Sequence, residues 1–398
     1  MRRLVLGETD LKSWEVGLKQ PILAALSELA RPVNRGKSFT FSGFAYQLPQ
    51  GSSAPCKYFE LIRDHLARAS FPMRIRDMLL LVKDDQSFRI QNHWRNLSKI
   101  SSHSRRPKLP TAREGWECRQ VLRHLFNYAA LSSGKKLSWN VGSFALTVST
   151  IDMISADGSK LDAAKFVELF KGWNKASYCP YCNAETIYSE TLIERPGRPV
   201  RSDLDHFFPQ WQYPYFAVSP YNLIPSCTRC NSRMKHDDDP VDYTRGNPKL
   251  KLVYPYHEDF HNLLKFEFKA ISVDLLSGDA KDGDLTLTCK VPAVRGGSRA
   301  EESVRQFCLR TVYERIYRRE LRNLPLRMRL AASSYAKDMA SFLDAGQNAS
   351  YGRVSADRVR AEILGVTFDD EWIDDIRFGK LCRDLGKQLG FRWNYETD

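Results

Sequence analysis

The sequence predicts an α+β fold. Apolar residues recur at helical spacing in several stretches, short alternating runs read as strands, and two Cys-x-x-Cys pairs frame a central segment. Residues 1 to about 100 mix helical and loop signals around an apolar run, Met78-Leu79-Leu80-Leu81-Val82. Residues 101–110, S-S-H-S-R-R-P-K-L-P, are polar, basic and broken by proline, and read as an exposed linker. From Trp116 to Leu131, apolar positions 118, 121, 122, 125 and 128 form a helical stripe that stops at Ser-Ser-Gly. Phe144, Leu146 and Val148 alternate as in a strand. Ser159 and Asp162 open a helix carrying Leu161, Ala164, Val167 and Phe170 and leading to Cys179.

Beyond residue 250 the pattern changes. The runs 265–275 and 285–291 flank G-D-A-K-D-G-D and predict a β-hairpin. Residues 299–330 predict one long helix with Val304, Cys308, Val312 and Ile316 on a stripe, broken or kinked at Pro325. Arg305, Arg310, Arg315, Arg318, Arg319 and Arg322 are either its solvated face or a contact to nucleic acid or a partner. The same two readings hold for Trp116, Arg119 and Arg123, beside the basic linker. His257 and His261 lie four apart and read as surface residues rather than a metal pair. Three domains are expected: 1–173, a mixed α/β region of unassigned role; 174–250, holding the cysteine pairs; and 251–398, a hairpin followed by mainly helical sequence.

Composition narrows the class. With 42% apolar and 12% aromatic residues, the chain can bury ordinary cores, which excludes a disordered polymer. No secretion signal or membrane-length apolar run is visible, so a cytoplasmic protein with no membrane partner is expected. The formal charge of +13 favours a polyanionic partner, nucleic acid above all, though a merely basic soluble protein has the same balance. Nine cysteines without a secretion signal argue against a disulfide framework. Cys56, Cys118, Cys289, Cys308 and Cys382 are scattered singly and read as small core residues.

The other four are paired: C-P-Y-C at 179–182 and C-T-R-C at 227–230. Two residues between thiols let both sulfurs of a knuckle reach one ion, and two knuckles complete a tetrahedron. Cys179, Cys182, Cys227 and Cys230 are therefore expected to bind a structural Zn²⁺, in preference to a redox role, which has no need of a second pair. A site closed by four thiolates has no open position, so any chemistry lies elsewhere. Between and just after the knuckles stand Asp205-His206, then Asn222, then Asn231. In a helix starting near Thr228, Asn231 and Lys235 share a face and His236 points away from it.

L-D-H-F-F-P, then N-L, then C-x-x-C-N-x-x-x-K resembles the HNH endonuclease family in its zinc-knuckle form. The resemblance implies a ββα-metal core in which two strands and a helix hold one catalytic divalent ion. It assigns Asp205 and Asn231 as ligands of that ion, His206 as general base, and Asn222 as the residue supporting the loop and orienting the histidine. Asparagine at 231 replaces the last histidine of the motif's name, as in the HNH domain of the CRISPR effector nuclease, and leaves the choice of metal in question. A carboxylate and an amide oxygen form a hard, sparse set suited to Mg²⁺ or Mn²⁺, and an imidazole titrating near neutrality can take a proton from water. Lys235 and Arg233 are placed to bind phosphate oxygens or are ordinary helix-surface charges.

The expectation is a metal-dependent endonuclease acting on DNA. An RNA-cleaving effector and a non-catalytic zinc-ribbon nucleic-acid-binding protein are the alternatives. Residues 254–268 running into the hairpin, with the later helix L-R-T-V-Y-E-R at 309–315, loosely resemble the segment after the HNH core in nuclease subunits of bacterial anti-phage systems of the Septu and retron-linked kinds, which implies an antiviral defence setting and a protein partner subunit.

Overall fold

The computed structural model describes residues 19–32, 38–41, 44–47, 53–68, 74–91, 110–129, 137–141, 144–148, 177–191, 199–244, 247–258, 263–270, 285–290, 297–317, 326–327, 330–331, 334–345, 356–364 and 377–388. Helix α1 (Gln20–Ala30) starts on Pro21, whose missing N–H costs nothing in a first turn. It buries Ile22, Ala25, Leu26 and Leu29, an i, i+3, i+4, i+7 spacing that makes one apolar stripe. That stripe packs against α2 (Ala54–Arg68), which turns Tyr58, Phe59, Ile62 and Leu66 inward. Helix α3 (Ile75–Gln91) carries the expected apolar run, but only part of it is core: Met78, Leu81 and Val82 are buried and Leu80 is exposed.

Helix α4 (Pro110–Leu125) begins at the last residue of the expected linker; 101–109 lie outside the described residues. Its stripe of Cys118, Val121, Leu122 and Leu125 is buried as expected. Arg119 is not a contact surface: it is buried, with its guanidinium 5.7 Å from the Trp211 ring centroid. Strands β1 (Ser38–Phe41), β2 (Phe44–Gln47), β3 (Leu137–Val141) and β4 (Phe144–Val148) form an antiparallel sheet in the order β2-β1-β3-β4. The alternation at 144–148 foretold β4; β1, β2 and β3 were not foreseen. The helix expected from Ser159 lies outside the described residues.

The centre of the chain is built from small antiparallel pairs. They are β5 (Ser189–Thr191) with β6 (Pro199–Arg201), β7 (Asp203–His206) with β8 (Leu223–Ser226), and β9 (Val241–Asp242) with β10 (Lys249–Leu250). The hairpin expected after residue 250 is present as β11 (Lys265–Ala270) and β12 (Leu285–Lys290). The long helix expected over 299–330 is not. Helix α5 (Gly297–Gln306) ends where Cys308 takes a left-handed conformation, φ 47°. A short turn, Leu309–Thr311, and a wide π-type stretch, Val312–Ile316, follow. Val304 and Val312 of the expected stripe are buried, but the break brings Phe307, Leu309 and Tyr313 into the core and leaves Cys308 and Ile316 exposed. Arg305, Arg310 and Arg315 are exposed; Arg318, Arg319, Arg322 and Pro325 lie outside the described residues.

Helices α6 (Tyr335–Ala345) and α7 (Ala356–Leu364) share a small cluster of Ala336, Ala340 and Val359, and α8 (Gly379–Gln388) closes the described chain. One continuous apolar cluster runs from Ile22 in α1 through the cysteine segment to Leu385 in α8. Among the described residues, no helix is long and apolar enough to cross a membrane.

Candidate active site and metal centre

The first cysteine pair sits in a tight turn. Tyr178 bridges Thr186, the Cys179 N–H donates to the Glu185 carbonyl at 2.9 Å, and the Asn183 N–H to the Cys179 carbonyl at 2.7 Å. Asn183 takes φ 51°, a left-handed position that asparagine tolerates better than most residues. The second pair follows β8 directly, and the Cys230 N–H points at the Cys227 sulfur at 3.4 Å. The four sulfurs lie within 4.8 Å of one another, all buried, with Cys182 and Cys227 Sγ 4.0 Å apart. A tetrahedral Zn²⁺ with bonds of about 2.3 Å would hold its sulfurs about 3.8 Å apart, so the cluster fits that ion with little movement. Hydrogen bonding with Cys179 holds the Cys182 thiol well below its ordinary value, while burial drives Cys179 well above it. Four buried thiols sharing protons in this way are ready to exchange them for a divalent cation.

The C-terminal elements clasp this turn. Tyr313 Oη donates to the Cys182 carbonyl at 2.5 Å, the Phe378 N–H to the Asn183 carbonyl at 2.8 Å, and Arg377 Nε to the Ala184 carbonyl at 2.8 Å. Arg229, between the second pair of thiols, joins Glu185 and Tyr317 and so ties one knuckle to the other.

The knuckles frame β7 and β8, paired with Asp203 opposite Ser226, Asp205 opposite Ile224 and His206 opposite Leu223. After Cys227 the chain enters a wide helical turn, Arg229–Lys235, closed by the His236 N–H donating five residues back to the Asn231 carbonyl at 2.7 Å. His236 ends it at φ 49°, exposed, away from the strands as the sequence spacing indicated.

Alternation along β7 puts Asp203 and Asp205 on the side facing this helix. Asn231 Nδ2 donates to Asp203 Oδ2 at 3.1 Å. Lys235, fully buried, donates from Nζ to Asp205 Oδ1 at 2.9 Å and to the His206 carbonyl at 2.8 Å. Tyr181, inside the first knuckle, donates to Asp205 Oδ2 at 2.6 Å. Asn231 and Lys235 thus share the face the spacing gave them, but the Lys235 ammonium points into the protein and not at a surface where phosphate would lie. Arg233 is exposed on the outer side. Asp203 and Tyr181 escaped the sequence reading. The first carried a signal, an acid two residues before Asp205 on the same strand face; the second lay unnoticed between two thiols.

The half-buried His206 goes the other way. Its Nε2 lies 2.9 Å from the Ala217 carbonyl, which can only accept, so that nitrogen carries the proton. The Tyr128 ring stands edge-on at 4.5 Å between centroids. The near-neutral titration expected of His206 is not found: burial pushes the imidazole down to about 4, against the opposing pulls of Ala217 and Asp205, so the neutral ring with a Nδ1 lone pair is the form present at neutral pH. Asn222 is fully buried and organises the intervening loop. Its Oδ1 accepts the Phe208 N–H at 2.8 Å, and its Nδ2 donates to the carbonyls of Phe208 and Phe216, both at 3.1 Å. Fixing Phe216 fixes its neighbour Ala217, the anchor of His206. Helix α3 supports the same loop: Arg89 donates to the Gln212 carbonyl at 3.2 Å, and Tyr215 to Asp85 at 2.9 Å.

These features define a mixed helix-and-sheet protein with a buried four-thiolate cluster beside an acid–histidine strand. No family model and no solved structure matches the chain. It is similar to protein ea31 of Escherichia phage lambda, 34% identical over 80 residues, a match covering 18% of this chain and 25% of that protein. The chain therefore spans about a quarter of the length of that relative.

Proposed function

We propose that this protein is an HNH-type endonuclease that hydrolyses phosphodiester bonds, DNA first among them, with His206 as general base and a Zn²⁺ held by Cys179, Cys182, Cys227 and Cys230 as a structural clamp. The observation that carries the reading is the His206 ring. Its Nε2–H is tied to the Ala217 carbonyl, its neutral form is favoured, and Nδ1 is left to accept a proton from water. Asn222 keeps that ring in place through the Phe208–Phe216 loop.

Asp205 and Asn231, with Asp203 beside them, are the hard oxygen donors that would hold Mg²⁺ or Mn²⁺. When bound, such an ion neutralises the scissile phosphate and the leaving oxygen. Asp205 is buried and already accepts from the Lys235 ammonium and Tyr181, so an ion would bind this carboxylate only by displacing Lys235. Lys235 fixes the strand end by binding both the Asp205 carboxylate and the His206 carbonyl.

The test is cleavage of plasmid, linear duplex, single strand and RNA with Mg²⁺ or Mn²⁺, comparing wild type with His206→Ala. A rate loss of at least about 100-fold is expected for the variant, the scale of a lost general base, with thermal stability retained. Equal cutting by both proteins removes the assignment. The neutralisation of Asp205 by Lys235 favours a second reading, a zinc-ribbon protein that binds nucleic acid without cutting it. Wild-type protein that binds but never cleaves decides for that one. A setting in antiviral defence with a partner subunit rests on the loose likeness of residues 254–268, the hairpin and the later L-R-T-V-Y-E-R segment.

A further inference from the structure

A groove of about 1200 Å³ opens between α3, the β9–β10 hairpin and α5. It exceeds the ~300–1,000 Å³ of most small-molecule pockets. Its charges sort into two groups. Arg299 is paired with Glu258 and Arg305 with Glu302, so these four cancel. Arg76 and Lys83 on α3, and Lys249 and Lys251 on and after β10, also line it, and none of them makes a salt bridge among the described residues. Arg76, Lys83 and Lys249 are exposed and Lys251 is half-buried. Among the described lining residues Asp242 opposes them, standing across the ladder from Lys249, and Asp239 is within electrostatic reach of Lys251, so a positive surplus remains. Between the cations lie Ile75, Leu79 and the exposed Leu80, with Tyr243 at the other wall.

From this arrangement we infer that the groove binds a single-stranded nucleic acid, its phosphates along Arg76, Lys83, Lys249 and Lys251 and its bases over the apolar floor and Tyr243. Two rows of cations in excess over the nearby acids, across an apolar base, match what a strand offers, charge on one edge and flat apolar rings on the other. A duplex is read by protein elements that enter its own grooves, whereas here the concavity belongs to the protein. The groove also connects with the candidate site through α3. Two residues beyond Lys83, Asp85 receives the Tyr215 hydroxyl, and Arg89 holds the Gln212 carbonyl, in the loop that anchors His206. A strand lying along α3 is therefore delivered toward that loop.

The experiment measures binding of the full chain to a fluorescein-labelled 30-nucleotide single strand and to its duplex, without Mg²⁺ or Mn²⁺, across a salt series. The proteins are wild type, Arg76→Glu/Lys83→Glu, Lys249→Glu/Lys251→Glu, and His206→Ala. Wild type and His206→Ala should bind the single strand more tightly than the duplex. The slope of log affinity against log salt should be roughly −3, as four contacts at about −0.7 each give for a single strand. Each double variant should bind at least tenfold more weakly with a slope reduced by one to two, and melt where wild type melts. Unchanged affinity and slope in both double variants overturns the inference, as does tighter binding of the duplex. Because cleavage is not read, failure of the nuclease reading, seen as intact binding without cutting, is distinguishable from failure of the groove.

Discussion

Lys235 sits with no solvent exposure between the Asp205 carboxylate and the His206 carbonyl, and Tyr181 completes the acid's partners. A charge removed from water this thoroughly is stable only while its partner stays. Lys235→Met should therefore cost about 3–5 kcal/mol in denaturant unfolding, because it strands a buried carboxylate. Adding Asp205→Asn to Lys235→Met should recover a large part of that loss, since both charges then leave together. Strictly additive losses would mean the two side chains are not coupled. The acid–histidine adjacency and the two asparagines could be read from residue types and spacing. The Lys235–Asp205 pair could not: it joins residues far apart in sequence, and it depends on a widened helical turn that no local propensity announces. A lysine one helical turn after an asparagine looks in sequence like surface charge.

At the next scale, the neck of the loop between β7 and β8 is closed by Asn222, while Arg89 and Asp85 of α3 hold its far side. Asn222 makes three hydrogen bonds across the loop's neck, to Phe208 N–H, Phe208 carbonyl and Phe216 carbonyl. Asn222→Ala leaves the Phe208 N–H and carbonyl without their partner, while the Phe216 carbonyl keeps the Ser219 N–H, and should cost on the order of 2–4 kcal/mol. It should also release Ala217 and with it the Nε2 bond of His206, so cleavage should fall even at temperatures where the variant is folded. Asn222→Asp keeps the acceptor and loses the donors, and should lie between. An Asn222→Ala protein with wild-type stability and cleavage would show that the loop is held by its aromatic packing instead. Elements with strong periodicity, such as α4, β4 and the β11–β12 hairpin, were legible because their apolar residues recur at the spacing of a helix or a strand. The 299–330 stretch misled for a definite reason. Its apolar residues fit one continuous stripe on paper, but Cys308 adopts φ 47° and the core takes Phe307 and Leu309 instead.

Over the whole molecule, the four thiols are the point where three parts of the chain meet. The first knuckle receives Tyr313, Arg377 and Phe378 from the C-terminal region, and Arg229 of the second knuckle shares Glu185 with Tyr317. The surrounding apolar cluster reaches from α1 to α8. Loss of the ion should therefore be felt far from the cysteines. Metal binding at a site that does not persist in the unfolded chain contributes its free energy to folding. Cys227→Ser should release about one equivalent of zinc per chain, measured by metal analysis, and lower the thermal midpoint by at least about 10 °C, since each kcal/mol lost moves the midpoint of a domain this large by roughly 2–4 °C. The loss should come as one broad or lowered transition including the C-terminal helices, not as local melting of residues 177–191. Hydrogen exchange resolves the two cases. Faster exchange in α8 and at Val312–Ile316 as well as in the knuckles would show that the cluster clamps the whole core. Fast exchange confined to the knuckles, with an unchanged midpoint, would show that the apolar cluster holds the fold without it.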